Sequence, residues 1–206
     1  MQAADPLPDD YESVLTGPFI EKFRGSGDLF VDVGAHLGTW TLRMLPVFRR
    51  VVAFEPHPVT FEALQSATAP HNHVEVLKFA VGRDNGRADL WLYDRPGHSS
   101  VCGHPTFEEL KRTPTGVIPV EVRALDKVLL PGRLSLLKVD TEGYEVDVLE
   151  GARMVIARYR PSLCIETHSV PLRVRCMEIL TELGYDDLQV FPPVRHPNEP
   201  GWIVKV

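Results

Sequence analysis

Titratable residues are concentrated in two short stretches of this chain. In Leu136-Leu137-Lys138-Val139-Asp140-Thr141-Glu142-Gly143-Tyr144-Glu145 a lysine and three acids interrupt and follow an apolar run. In Leu163-Cys164-Ile165-Glu166-Thr167-His168 a glutamate and a histidine close another. Short apolar runs ending in polar groups read as buried strands with chemistry at their carboxyl ends. Carboxylates beside a histidine suit general acid–base work, since imidazole titrates near neutral pH and a carboxylate can take a proton from a nearby hydroxyl. Lys138 lies within an apolar strand, where an ammonium must find a carboxylate or lose its proton. Asp140, Glu142 and Glu166 are its candidate partners. The same groups also read as a structural charge network joining two strands and a helix, with Glu142 and Glu145 as acids favoured at a helix amino terminus. His168 reads equally as a solvated loop residue.

A ligand crevice is signalled upstream. Leu29-Phe30-Val31-Asp32-Val33 is an apolar strand ending at Gly34-Ala35-His36-Leu37-Gly38, after which Thr39 to Leu45 resumes with helical spacing. Strand, glycine turn and helix form the first unit of an open α/β sheet, and glycine lets backbone approach a ligand closely. A dinucleotide fingerprint needs a further glycine where Thr39 stands, so a bound pyrophosphate is disfavoured. Asp32 would repel a phosphate but suits a cationic amino group. The next apolar strand, Val51-Val52-Ala53-Phe54, ends at Glu55-Pro56. An acid there accepts hydrogen bonds from ribose hydroxyls, which selects an unphosphorylated ribose.

Taken in order, VDVGAHLGTWTL, VVAFEP, the AVG at 80–82, LLKVDTEGYEVDVLEGA and CIETH resemble the FkbM-type family of S-adenosylmethionine-dependent methyltransferases over residues 29 to 168. LLKVDTEGYEVDVLEGA is the most specific piece. One departure is His36, where the family pattern more often carries asparagine; either side chain can donate a hydrogen bond. The resemblance implies S-adenosylmethionine as cofactor, with Asp32, Gly34, His36 and Gly38 around its amino-acid moiety and with Ala35, Thr39, Pro56 and Asp140 also among the cofactor-binding residues. Glu55 is expected at the ribose, and Ala80 and Val81 beside the adenine. It also implies methylation of a hydroxyl on a small molecule, secondary metabolite or sugar. His168 or Asp140 is the expected base, and Lys138, Glu142 and Glu166 keep the region in shape. Ser99-Ser100 resembles a serine site in the family's corresponding loop. Asp140, Glu142, Glu166 and His168 form an oxygen-rich set of the kind that suits magnesium, but their spacing is not diagnostic and no metal site is expected. A nicotinamide-dependent oxidoreductase and a non-catalytic cofactor-binding module are the competing functions.

The elements that must position these groups follow from the pattern. The expected fold is α/β, of the class I methyltransferase (Rossmann-like) type: a three-layer sandwich with a seven-stranded, mostly parallel sheet, one antiparallel strand from a final hairpin, and an inserted hairpin pairing 87–93 with 117–123. Residues 1–28 form an amino-terminal segment, and 29–206 a single domain. Tyr11 to Arg24 reads as a helix or a helix pair broken at Gly17-Pro18, serving as a lid or as packing on the sheet edge. Val74 to Val81 reads as one strand. The irregular stretch 95–119 reads as a substrate loop or as disorder.

With 206 residues, 44% hydrophobic and 24% charged, the chain has the make-up of an ordinary globular domain. Its net charge of −6 argues against a nucleic-acid partner. The three cysteines, Cys102, Cys164 and Cys176, lack zinc-site spacing, and free thiols fit a reducing compartment. With neither a signal sequence nor a membrane-length apolar run, the expectation is a cytoplasmic protein with no membrane partner. Oligomeric state is left open.

Overall fold

The computed structural model describes residues 11–93, 99–101, 113–191 and 201–206. In chain order its helices are α1 (Tyr11–Phe23), α2 (Thr39–Met44), α3 (Pro58–Thr68), α4 (Glu145–Glu150), α5 (Arg153–Tyr159) and α6 (Val170–Glu182). Its strands are β1 (Gly27–Val33), β2 (Phe48–Phe54), β3 (Val74–Leu77), β4 (Ala80–Val81), β5 (Gly86–Leu92), β6 (Gly116–Arg123), β7 (Leu134–Val139), β8 (Ser162–Thr167), β9 (Gln189–Phe191) and β10 (Gly201–Lys205).

Seven strands form one sheet in the order β3-β2-β1-β7-β8-β10-β9. All its pairings are parallel except those of β10, which runs antiparallel to both β8 and β9. From β1 the chain winds outward through β2 and β3, then returns to place β7 on the other side. A crevice therefore opens between the carboxyl ends of β1 and β7, the topological switch point where open α/β sheets take ligands.

Side chains alternate between the two faces of a strand. Leu29, Val31 and Val33 join one apolar cluster with Leu137, Val139, Leu163 and Ile165, covered by Val148, Leu149, Ile156, Ile179 and Leu180 of the later helices. Phe30, Leu136 and Cys164 join the opposite cluster with Leu15, Phe19, Phe23, Trp40, Phe48 and Trp202. Asp32 shares the parity of Phe30, and Lys138 and Asp140 that of Leu136. Register pairs Asp32 with Lys138, and Lys138 with Cys164. The polar groups thus sit on one face of adjoining strands, at the ends where the apolar cover stops.

One expectation is settled between its alternatives and one needs correction. Of the two readings of the amino-terminal segment, the single helix is the one found, running through Pro18. Leu15, Phe19 and Phe23, spaced four apart, are all buried. Their burial offsets the roughly 3 kcal/mol that an interior proline costs. Val74 to Val81 is not one strand: β3 pairs with β2, whereas β4 leaves that sheet and pairs with β6. The expected insert is therefore part of a separate three-stranded sheet, β4-β6-β5, with β5 and β6 antiparallel. Among the described residues no helix is long and apolar enough to cross a membrane.

The turn after β1 is closely constrained. Gly34 has φ +75°, and a Cβ there would lie 1.8 Å from the carbonyl oxygen of Asp140. Gly34→Ala combines a left-handed conformation costing about 1–2 kcal/mol with a backbone clash that only separation of β1 from β7 relieves. It is expected to lower the urea midpoint strongly, and an unchanged midpoint contradicts this packing.

Candidate active site

At the switch point lies a cleft of about 680 Å³, a volume that includes the open solvent at its mouth. Gly34 and His36 form one wall, Glu55, Pro56 and His57 another, and Asp140 to Glu142 with Tyr144 a third. Phe79, Ala80, Val81, Leu90 and Val101 make an apolar slot between the main sheet and the inserted one. Ser99 also lines the cleft, and its buried hydroxyl has no hydrogen-bond partner among the described residues.

Glu55 stands at the end of β2, almost fully buried. Its Oε2 accepts the His36 amide at 2.7 Å, and its Oε1 accepts the His57 amide and the Thr60 hydroxyl, each at 2.9 Å. A carboxylate offers about four acceptor sites, so roughly one stays open for a ligand hydroxyl. Burial pushes its carboxyl above the ordinary glutamate range, against the opposing bonds from His57, Thr60 and His36. His36 itself has φ 51°. That left-handed region favours asparagine, aspartate and histidine among non-glycine residues, so the turn conformation accounts for both residue types suited to this position.

Lys138 is buried. Its Nζ donates to the Gly34 carbonyl at 2.8 Å and lies 3.2 Å from Asp32 Oδ1 and 3.5 Å from Asp140 Oδ2. Burial alone would drive its proton off, but Asp32 and then Asp140 more than reverse this, so it stays an ammonium. Asp32 Oδ2 accepts from Thr41 on α2 at 2.7 Å. The Asp32 side chain is thus fully buried and fastens β1 to β7 and α2, behind the cleft wall.

The turn from β7 into α4 places Glu142 at φ 55° and Gly143 at φ 108°. A left-handed glutamate costs energy that the surrounding contacts must hold. The Ser100 hydroxyl donates to the Glu142 carbonyl at 2.7 Å, tying the inserted sheet to this turn. Glu145, fully buried, accepts through Oε1 from the amides of Thr141 and Gly143 and from the Thr141 hydroxyl. The same oxygen lies 3.0 Å from His168 Nδ1. His168 Nε2 then faces Glu142 Oε2 at 3.4 Å and Asp140 Oδ1 at 3.7 Å. Burial works against a charged imidazole, but Glu145 first and then Glu142 and Glu166 raise it well above the ordinary histidine value. Burial pushes Glu142 up to about 7, opposed by His168 and reinforced by Asp140 and Glu145. Glu166 is raised well above its ordinary range by burial and by Asp140.

Of the residues singled out from sequence, Gly34, His36, Glu55, Pro56, Ala80, Val81, Asp140 and Glu142 line the cleft. Asp32, Lys138, Glu166 and His168 stand behind the Asp140 wall. Ala35 is buried against Ala53 and Leu64, Gly38 caps α2, and Thr39 is exposed on its first turn. Tyr144, Phe79, Leu90 and Val101 carry no site signal in the sequence beyond their place in or near the motifs. Cys102 and most of the 95–119 stretch lie outside the described residues.

Residues 32–186 match the model of the methyltransferase FkbM domain. The chain belongs to the FkbM methyltransferase family. It is 32% identical over 141 residues to Methyltransferase 1 of Beauveria bassiana, covering 59% of this chain and 57% of that protein. It is 25% identical over 193 residues to Methyltransferase sdnD of Sordaria araneosa, covering 78% and 74% of the two chains. A crystal structure of an FkbM methyltransferase from Methylobacillus flagellatus aligns with a TM-score of 0.56 at 20% identity, over 96% of this chain and 56% of that one. An rRNA methylase from Streptococcus thermophilus aligns at 0.53 with 13% identity, over 92% of each chain. These likenesses carry the class I, Rossmann-like fold. The FkbM chain described here thus spans little more than half of the Beauveria and Methylobacillus proteins.

Proposed function

We propose that this FkbM-family chain transfers a methyl group from S-adenosylmethionine to a hydroxyl oxygen of a small molecule, secondary metabolite or glycan. The observation that carries the reading is one cleft with Glu55 on one wall and Asp140 on the opposite one. The residues present fit the cofactor. Glu55 keeps acceptor capacity for a ribose hydroxyl, Phe79, Ala80 and Val81 offer a flat apolar slot for adenine, and the unpartnered Ser99 hydroxyl offers a polar contact there. Gly34 and His36 would lie along the amino-acid moiety. Bound there, S-adenosylmethionine would supply an activated methyl carbon and leave as a thioether.

The protein's part is to hold the acceptor oxygen in line and to take its proton as the new bond forms, each of which lowers the barrier. Asp140 is the group placed for the second task. It lines the cleft, is partly exposed, and has one oxygen turned to Lys138 and the other to His168. His168, ringed by acids, is held as an imidazolium and stabilises charge on Asp140 rather than taking the proton itself. Negative surplus in this region disfavours a nucleic-acid acceptor. Buried free thiols at Cys164 and Cys176 support a cytoplasmic home.

Calorimetric titration with S-adenosylhomocysteine and with NAD tests the cofactor, and a methylation assay over hydroxylated metabolites and glycans tests the reaction. Binding of the first ligand alone is expected, with a product carrying an O-methyl group by mass spectrometry. Tight NAD binding without S-adenosylhomocysteine binding contradicts the reading; cofactor binding with no turnover on any acceptor favours a binding module. Glu55 adds a pH signature. Only its ionised form accepts hydroxyls at both oxygens, and that form is lost as pH falls through its raised value. Affinity should therefore weaken on acidification while pH is still above the ordinary glutamate value of about 4.3, and Glu55→Gln should bind more weakly and flatten this dependence.

A further inference from the structure

We propose that a basic pocket at the amino ends of β1, β7 and β8 binds the phosphoryl group of a phosphorylated small molecule, through Lys22, Arg133 and the Ser162 hydroxyl. This binding does not depend on the methyl-transfer reading above.

The pocket has a volume of about 630 Å³, the open solvent at its mouth included. Lys22 and Phe23 at the end of α1 form one side of it, with Ser26 in the turn that follows. Arg133 to Ser135, leading into β7, and Ser162, the first residue of β8, form the others. The six residues of β7, at about 3.3 Å each, put roughly 20 Å between this pocket and the cleft at the strand's other end. A ligand here is therefore out of reach of the cleft.

The chain carries a net charge of −6, yet Lys22, Arg133 and Arg160 line this pocket and no acid does among the described residues. Lys22 lies in the last turn of α1 and Arg160 caps α5, at helix carboxyl ends that favour cations. The Arg160 guanidinium is occupied, since it donates to the carbonyls of Leu183 and Gly184. The other two cations are open to a ligand. Ser162 is buried, and its Oγ accepts from Lys22 Nζ at 2.9 Å. That leaves the hydroxyl hydrogen and two ammonium hydrogens without an acceptor among the described residues. The Arg133 guanidinium makes no hydrogen bond or ion pair with any described residue. Its backbone is held instead: Asp28 accepts the Arg133 amide at 2.7 Å, and the Ser135 hydroxyl donates to the Arg133 carbonyl at 3.4 Å. Guanidinium, ammonium and hydroxyl thus come from three different elements. A tetrahedral phosphoryl group presents oxygens in three directions and can meet them all through charge-assisted bonds, whereas a flat carboxylate presents two. The Phe23 ring, 5.3 Å from Lys22 Nζ, and Tyr159 add ring surface for the rest of the molecule.

The test is calorimetric titration of the whole chain with inorganic pyrophosphate at constant ionic strength. One pyrophosphate per chain is expected, bound below millimolar concentration and with the same affinity whether or not S-adenosylhomocysteine is present. Lys22→Gln and Arg133→Gln should each weaken it by at least about tenfold, because each removes a charge-assisted contact. Ser162→Ala should weaken it severalfold. Arg87→Gln, which takes a cation from the inserted sheet, should leave it unchanged. Circular dichroism checks that each variant is folded. No binding up to millimolar concentration overturns the proposal, and so does an equal loss in Arg87→Gln, which would reduce the effect to net charge. Displacement of pyrophosphate by S-adenosylhomocysteine also overturns it, since the anion would then sit in the cleft. Pyrophosphate bound at these residues in a chain that does not bind S-adenosylhomocysteine keeps this pocket and removes the cofactor reading; the opposite result does the reverse.

Discussion

Asp140→Asn should lower methyl-transfer turnover by about 10²–10⁴-fold, the range a positioned general base supplies, while S-adenosylhomocysteine binding stays near that of the wild type. The amide keeps the shape of the side chain but removes its proton-accepting charge. Of the two bases expected from sequence, Asp140 is the one on the cleft wall; His168 stands behind it, held charged by Glu145 and its neighbours. His168→Ala should therefore reduce turnover through loss of charge stabilisation and of the Asp140 orientation. The measurement is single-turnover product formation on an acceptor found in the assay. Full turnover in both variants, with cofactor still bound, removes the base from this wall.

Lys138→Met should destabilise the fold by about 3–5 kcal/mol, because it leaves the fully buried Asp32 carboxylate without its cation. For a chain of this size each kcal/mol moves the melting temperature by about 2–4 °C, so a loss on the order of 6–20 °C is expected. Methionine fills most of the lysine volume, which separates lost charge from an empty cavity. Adding Asp32→Asn should restore part of the loss, since the stranded charge is then gone; Thr41 can still bond the amide. Equal melting temperatures for wild type and Lys138→Met contradict a structural role for the pair. Differential scanning calorimetry on the two single variants and the double variant closes the cycle.

Much of the scaffold is legible because burial on both faces writes a continuous apolar run. Leu29 to Val33, Val51 to Phe54, Leu134 to Val139 and Leu163 to Glu166 all fall within strands of the main sheet. The antiparallel last hairpin and the pairing of 87–93 with 117–123 are likewise as expected. The division of Val74–Val81 is not legible. The chain changes sheets at Lys78-Phe79, and an apolar run looks the same whichever neighbour its backbone pairs with. Pro18 leaves the sequence undecided between one helix and two: local propensity argues for a break, and burial of Leu15, Phe19 and Phe23 overrides it. In the site, Lys138 to Glu145 are visible because they are contiguous. Phe79, Leu90 and Val101 meet only through the second sheet, so no local spacing announces them. Glu145 is visible as an acid, but its role depends on a residue 23 positions away.

The inserted sheet has its two ends side by side. Ala80 and Val81 pair with Val122 and Arg123, and the Gly82 amide donates to the Arg123 carbonyl at 3.0 Å. Residues 83–123 thus leave and re-enter the domain at one clasp, and the chain between can lengthen, shorten or change composition without pulling on the seven-stranded sheet. Such a segment behaves as a cartridge. An engineer can transplant it whole by cutting at two neighbouring points, exchanging Leu90, Ser99 and Val101 of the cleft while Asp32, Glu55 and Lys138 stay in place.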